Sequence, residues 1–78
     1  MRITYDRQAD ALYIELRGAQ ANDNMDIEEG VSADLDGQGH IVGFEILDAS
    51  KRLTPVELHS LRVENLLLEP EKEAERLS

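Results

Sequence analysis

Two short runs of alternating apolar residues, joined by a glycine-rich turn, constrain the fold of this chain more than any other feature. The runs span residues 31–35 and 40–47, and Asp36-Gly37-Gln38-Gly39 lies between them. Asp-Gly favours a tight turn because glycine adopts a positive φ without a Cβ clash. The stretch therefore predicts an antiparallel hairpin. Apolar residues on both sides of the second run indicate that it is a central strand.

The N-terminal segment predicts another hairpin. Residues 2–5 and 11–17 both alternate between apolar and polar side chains, which is typical of strands. The polar residues 6–10 between them indicate a turn, in which the Asp6 side chain can accept a hydrogen bond from the backbone two residues further on.

Residues 18–29 show no clear periodicity and indicate a loop, although Met25 and Ile27 could form a brief strand near its end. The two hairpins then predict an antiparallel four-stranded, meander-like sheet. Alternation assigns the following residues to its apolar face: Ile3, Leu12, Ile14, Leu16, Val31, Leu35, Val42, Phe44 and Ile46.

A sheet with one apolar face requires a cover, and the sequence offers a helix after the second hairpin. Thr54 suits the N-cap, a proline follows it, and Glu57 completes a capping box. Leu58 and Leu61 would then share the helix face that packs on the sheet. Asp48 could cap a separate single turn before this helix.

The C-terminal residues are less clearly patterned. Residues 63–68 fit either a continued helix or a further strand, and Leu66 to Leu68 are best explained by a subunit contact. Residues 69–78 mix acidic and basic side chains around a proline, which is typical of a flexible tail. We therefore predict one small α+β domain over residues 1–68, followed by a flexible acidic tail over 69–78.

The composition narrows the classes of function. A domain within 78 residues buries only about 60% of its unfolded surface. Without cysteine for disulfides, oligomerisation is the remaining common means of stabilisation, and a homodimer is the expected form. A net charge of −9 argues against nucleic acid and would favour a basic protein partner. With no signal peptide and no apolar run of membrane-spanning length, we predict a cytoplasmic protein without membrane contact.

One pattern resembles a metal site. From Asp34 through Asp36 to Glu45, the residues match six positions of an EF-hand calcium loop. An EF-hand needs a helix on each side, whereas both flanks here alternate with period two. The turn is therefore favoured, with its carboxylates facing solvent. The alternative is a site for a divalent metal or a small ligand formed by Asp34, Asp36 and Glu45.

Nothing in the sequence indicates catalysis. His40 and His59 each stand alone, and no serine has a nucleophile motif around it. There is no phosphate-binding loop or dinucleotide fingerprint, so we predict no catalytic residues and no cofactor.

Two segments resemble a known family. YDRQADALYIEL at 5–16 and DLDGQGHIVGFEILDAS at 34–50 are similar to small bacterial proteins grouped as domain of unknown function 2283. The resemblance covers roughly residues 1–52. It implies a prokaryotic cytoplasmic protein and brings no established activity, ligand or catalytic residue. The patterned residues are candidates for a shared role, or for turn and packing roles: Tyr5, Asp6, Asp10, Glu45 and Ser50.

Together these features predict a non-catalytic module that associates with itself or binds another protein. An acidic accessory protein, or an antitoxin-like partner of a basic protein, is one concrete version of that prediction.

Overall fold

The computed structural model describes residues 1–64, which form one antiparallel sheet and two single-turn helices. The elements in chain order are β1 (Arg2–Asp6), β2 (Ala11–Glu15), β3 (Asp23–Glu28), β4 (Val31–Leu35), β5 (Ile41–Ile46), α1 (Ala49–Arg52) and α2 (Pro55–Leu58). The spatial order of the strands is β1-β2-β5-β4-β3. The predicted α+β class with an antiparallel sheet is confirmed.

Both predicted hairpins are present. In the β1–β2 hairpin Ile3 lies opposite Ile14, and in the β4–β5 hairpin Ala33 lies opposite Phe44. The first turn is held as expected, because the Asp6 carboxylate accepts the backbone N–H of Gln8 at 2.9 Å. This bond stabilises the turn between the end of β1 and the start of β2.

The second turn differs in one detail from the Asp-Gly prediction. The Asp36 and His40 backbones pair, leaving three residues in the loop, and the glycine with positive φ (84°) is Gly39 rather than Gly37. The Asp36 carboxylate also accepts the backbone N–H groups of Gln38 and His40, at 2.9 and 3.0 Å. Such a three-residue hairpin loop ends with a residue in the left-handed region, so the second glycine is the one required.

The four-stranded meander was wrong in two respects. First, the predicted loop over 18–29 contains β3, which forms an edge of the sheet beside β4. Every residue of β3 is exposed, so it lacks the buried periodicity from which a strand is read. Second, β2 pairs with β5 and not with β4. This order puts β5, the most apolar strand, at the centre, where both of its edges are hydrogen-bonded.

The helical region is shorter than predicted. The Thr54 capping box is confirmed: the Thr54 hydroxyl accepts from the Glu57 N–H at 3.2 Å, and the Glu57 carboxylate accepts from the Thr54 N–H at 2.8 Å. However, α2 ends at Leu58 after one turn, and Leu61 is 71% exposed beyond it. Asp48 does precede a turn, α1, but its side chain makes no capping bond.

Several predictions fall beyond Glu64. The tail at 69–78 and the leucines at 66–68 lie outside the described residues, as does most of the segment 63–68. The two described residues of that segment, Val63 and Glu64, are in neither helix nor strand. No helix within residues 1–64 is long and apolar enough to cross a membrane.

The fully buried apolar side chains of the described chain are few and small: Ala33, Val42 and Ala49. Val42 lies on the central strand β5, Ala33 lies on its neighbour β4, and Ala49 begins α1. The helices therefore cover the sheet only in part.

Candidate functional site

A row of apolar side chains crosses the sheet from one edge to the other. Directly opposed residues of an antiparallel pair share a face. The strand register therefore places five residues side by side on what we call the apolar face: Ile3, Ile14, Phe44, Ala33 and Met25. The predicted apolar face is thus present, and it extends one strand further than the sequence indicated.

The cover over this face is uneven. On the β1 side, Leu53 and Leu58 stand over Ile3 and Ile14 and leave a cleft of about 370 Å³ between helix and sheet. On the β3 side, Met25 is 49% exposed, although it lies opposite the fully buried Ala33. The row therefore continues from the core out to an open sheet edge.

The size of the face can be judged from strand geometry. Five strands about 4.8 Å apart, each about five residues long at 3.3 Å per residue, span roughly 300–400 Å². Exposed apolar patches of about 300–600 Å² are the largest that soluble monomers usually carry, and they are often functional. The whole face is of that size, and the part left open beside β3 is smaller.

The opposite, polar face is closed by its own hydrogen bonds. Tyr13 lies across Gly43 and its hydroxyl donates to the Asp34 carboxylate at 2.8 Å. The Asn24 amide donates to Asp34 at 2.9 Å and to the Ser32 hydroxyl at 3.1 Å. The bond to Asp34, aided by burial, raises the pKa of Tyr13, so the phenol stays protonated and keeps donating.

The three carboxylates considered for a metal site lie in separate arrangements. Asp34 is held by Tyr13 and Asn24 on the polar face. Asp36 closes the β4–β5 turn and forms an ion pair with Arg17. Glu45 is in the next row of β5, opposite Ser32 and Tyr13. Within residues 1–64, no three His, Asp or Glu side chains are grouped closely enough to hold a metal ion.

The pKa of the Asp36 carboxyl lies well below its ordinary value. Bonds from the backbone N–H groups of His40 and Gln38, together with Arg17, lower its pKa to about 2. These donors stabilise the ionised form and are themselves part of the turn. The perturbation therefore has a structural cause.

Three of the patterned family residues converge at one end of the sheet. The Tyr5 hydroxyl donates to one Asp10 oxygen at 2.6 Å, and the Ser50 hydroxyl donates to the other at 2.6 Å. The Ser50 N–H also donates to Asp10 at 3.0 Å, and the Asp10 carbonyl accepts the Ala49 N–H. We call Tyr5, Asp10 and Ser50 the latch, because they join the β1–β2 turn to α1.

The electrostatics of the latch match this role. The Ser50 hydroxyl, followed by that of Tyr5, lowers the pKa of Asp10, and the bond to Asp10 raises the pKa of Tyr5. Asp10 itself adopts the left-handed conformation, with φ 51°. Among the described residues His59 makes no hydrogen bond to Ser50, although both residues line a cleft of about 300 Å³ beside the latch.

The other two patterned residues are elsewhere. Asp6 serves the first turn, and Glu45 lies on the polar face. Sequence reasoning missed Arg52, which donates to the Leu47 carbonyl at 3.2 Å and pairs with Glu28 at 3.3 Å. It ties α1 to the β3–β4 turn, a contact that no local pattern signals.

Comparison with known proteins shows a family and a relative, and neither has a described activity. The family described as "Protein of unknown function (DUF2283)" matches residues 2–50, which contain all five strands and the latch. The chain is 37% identical over 51 residues to the uncharacterized protein MJ0789 of Methanocaldococcus jannaschii. That match covers 65% of this chain and 43% of the relative, so the chain spans less than half of the relative's length. No solved structure matches the chain.

Proposed function

Because this chain belongs to the DUF2283 family, whose members are described as proteins of unknown function, we propose a function from the geometry of the sheet. The domain is a non-catalytic module that associates with a second copy of itself through the β3 side of the apolar face. The observation that carries this proposal is the exposure of Met25, in a row whose neighbouring member Ala33 is fully buried.

A second copy suits this surface geometrically. Two sheets pack face to face about 10 Å apart when both present apolar residues, and a two-fold axis lets the same patch serve both partners. The β3 edge carries the acidic residues Asp23, Asp26 and Glu28, which disfavour edge-to-edge pairing between copies. Association through the face, rather than through the edge, is the consistent arrangement.

The expected affinity follows from the area. A standard protein interface buries about 800 Å² on each partner, whereas the whole apolar face spans roughly 300–400 Å² and the contact uses only its β3 side. We therefore expect a reversible dimer with a dissociation constant on the order of micromolar. A basic protein partner, the other version of the prediction, would be favoured by the net charge of −9 alone, whereas the exposed apolar row favours a second copy.

The test compares two substitutions on adjacent residues of β3. Met25→Lys places a charge on the apolar face, and Asp26→Lys places the same side chain on the polar face, opposite Ser32. Sedimentation equilibrium over about 1 µM to 1 mM should show a mass rising from one chain to two for the unmodified protein and for Asp26→Lys. Met25→Lys should remain at the mass of one chain.

Circular dichroism shows whether both variants keep the sheet. An unmodified protein that stays monomeric up to about 1 mM would refute the proposal, because even a weak specific dimer associates at that concentration. So would a folded Met25→Lys variant that associates as strongly as the unmodified chain.

A further inference from the structure

The cleft beside the latch is a feature that the dimer does not use. It has a volume of about 300 Å³ and lies between the end of β1 and the two helices. Its lining combines polar and apolar side chains: Tyr5, Arg7, Ser50, Leu53, Leu58 and His59. Small-molecule sites have this composition, in which apolar walls carry a few polar groups that orient the ligand. Because the cleft is at the lower end of ligand-site volumes, its ligand should be small.

The two latch hydroxyls can offer this cleft only hydrogen-bond acceptors. Tyr5 and Ser50 each have a single hydroxyl hydrogen, and each donates it to Asp10 at 2.6 Å. The bonds from Ser50 and Tyr5 lower the pKa of Asp10, so its carboxylate stays ionised at neutral pH and keeps both hydrogens. Each hydroxyl therefore has oxygen lone pairs left over, next to the negative charge of Asp10. Such a group favours a positively charged donor, such as an ammonium group.

Arg7 has the opposite requirement. Its guanidinium carries several N–H donors and no acceptor. Within residues 1–64 it forms no ion pair. The bond to Asp10 raises the pKa of Tyr5 and the charge of Arg7 opposes that rise, so the guanidinium acts on the phenol that lines the same cleft. A planar carboxylate is the small group that best matches a guanidinium, and the His59 imidazole can donate one more hydrogen bond to it.

We propose that this cleft binds a free α-amino acid with a small apolar side chain. The ligand carboxylate pairs with Arg7, and its ammonium group donates to the hydroxyl oxygens of Tyr5 and Ser50. Its side chain lies against Leu53 and Leu58. The proposal is independent of the dimer, because no residue that lines the cleft belongs to β3 or β4.

The charge of the whole chain favours a zwitterion over an anion. A net charge of −9 repels phosphate and dicarboxylates, whereas an amino acid carries no net charge. The carboxyl terminus of a peptide is a weaker match, because its α-nitrogen is a neutral amide and leaves the latch side of the cleft without a cation. A free amino acid satisfies both requirements of the lining at once.

The first test titrates the full chain, isotope-labelled at nitrogen, with L-leucine and follows the backbone amide signals. We expect saturable shifts at the amides of residues 5–10 and 49–59, with a dissociation constant on the order of millimolar for so small a ligand. The absence of a saturable shift at concentrations about tenfold above that constant would overturn the proposal, as would shifts confined to other residues.

Two analogues and one anion test the ligand class. N-acetyl-L-leucine lacks the ammonium group, L-leucinamide lacks the carboxylate, and each should bind about tenfold more weakly or worse, because a charge-assisted hydrogen bond is lost. N-acetyl-L-leucine that binds as well as L-leucine would overturn the proposal in favour of a peptide carboxyl terminus. Inorganic phosphate that binds as well would overturn it in favour of a simple anion site.

A matched pair of variants separates the cleft from charge in general. Arg7→Gln and Arg2→Gln each remove one positive charge from an exposed side chain, and only Arg7 lines the cleft. Arg7→Gln should weaken L-leucine binding about tenfold or more, whereas Arg2→Gln should change it less than about twofold. Amide spectra show that each variant keeps the sheet. Equal affinities for L-leucine in the two folded variants would refute the site.

The dimer proposal is scored separately. Failure of association leaves the L-leucine titration unchanged, and failure of L-leucine binding leaves the mass of the unmodified chain unchanged.

Discussion

On the polar face of the sheet, the Tyr13 hydroxyl and the Asn24 amide both donate to Asp34, and Arg17 pairs with Asp36 at the turn. Each of these groups finds its partner within the sheet. On the apolar face, Ile3 is 38% exposed and Met25 49% exposed, at opposite edges of one row. Among the described residues, the neighbours of these two side chains cover them only in part.

The difference follows from the range of the two kinds of interaction. A hydrogen bond needs one donor and one acceptor, so neighbouring strands can satisfy a polar face by themselves. Removing apolar area from water requires a second surface of similar extent, which two single-turn helices do not provide. The face that lacks a cover is therefore where association is expected. Substitutions on the two faces should therefore have unequal effects on stability.

The largest effect should come from the centre of the apolar row. Phe44 is half-buried between Ile14 and Ala33, and Phe44→Ala should destabilise the fold by about 3 kcal/mol, the lower end of the range for this change. Its neighbour Glu45 points to the polar face, and Glu45→Ala should stay within about 0.5 kcal/mol. Urea unfolding of both variants measures the difference. If both variants lose a similar free energy of unfolding, the two faces contribute equally to stability and the contrast is wrong.

A smaller effect is expected where the polar face is most tightly packed. A Cβ at Gly43 would stand 2.8 Å from the Ile14 carbonyl oxygen and 2.8 Å from the Tyr13 ring. Gly43→Ala should therefore cost about 1–2 kcal/mol and displace Tyr13 from Asp34. Ultraviolet titration should show the pKa of Tyr13 falling back toward its ordinary value.

Gly18→Ala is the matched control for this prediction. The nearest atom to a Cβ at Gly18 is a Glu15 carboxylate oxygen at 3.8 Å, and its φ is not positive. Stability should change by less than about 1 kcal/mol, because the position accepts a side chain without strain. If Gly43→Ala is as stable as this control, the Tyr13 side chain moves aside at no cost, and the tight packing at Gly43 does not contribute to stability.

Local patterns predicted the parts of the fold that local physics determines. Alternation marked β1, β2, β4 and β5, and the Thr54 capping box marked the start of α2. The length of α2 was wrong, because the end of a one-turn helix depends on packing and not on its cap. The strand order was wrong because the pairing of β2 with β5 joins distant segments.

The candidate surface was predicted in part for the same reason. Ile3, Ile14 and Phe44 were assigned to the apolar face by alternation, whereas Met25 belongs to it through the pairing of β3 with β4. An exposed edge strand carries polar residues, so its sequence resembles a loop. The Tyr5–Asp10–Ser50 latch spans 45 residues, and only the family resemblance singled out its members.

The smallest effect should come from acid, which weakens the hydrogen bonds and ion pairs of carboxylates and leaves apolar packing unchanged. The pKa of Asp36 is lowered from 3.8 to about 2, first by the His40 N–H and then by Gln38 and Arg17. Because the folded pKa lies below the unfolded one, the stabilisation is complete above about pH 4 and is lost as the pH falls through about 2. Bonds to Asp10 and Glu57 lower their pKa values too and act in the same direction.

Asp36→Asn isolates the contribution of the turn from that of the other carboxylates. The variant should be less stable than the unmodified protein at pH 7, and the gap should narrow between pH 4 and pH 2, where the native carboxylate becomes protonated. Asp26→Asn is the control, because the Asp26 side chain is exposed and its carboxylate accepts no hydrogen bond from the described residues. Thermal midpoints at pH 7, 4, 3 and 2 measure the gap. If the gap stays constant with pH, the turn is held by its backbone pairing and not by the charge of Asp36.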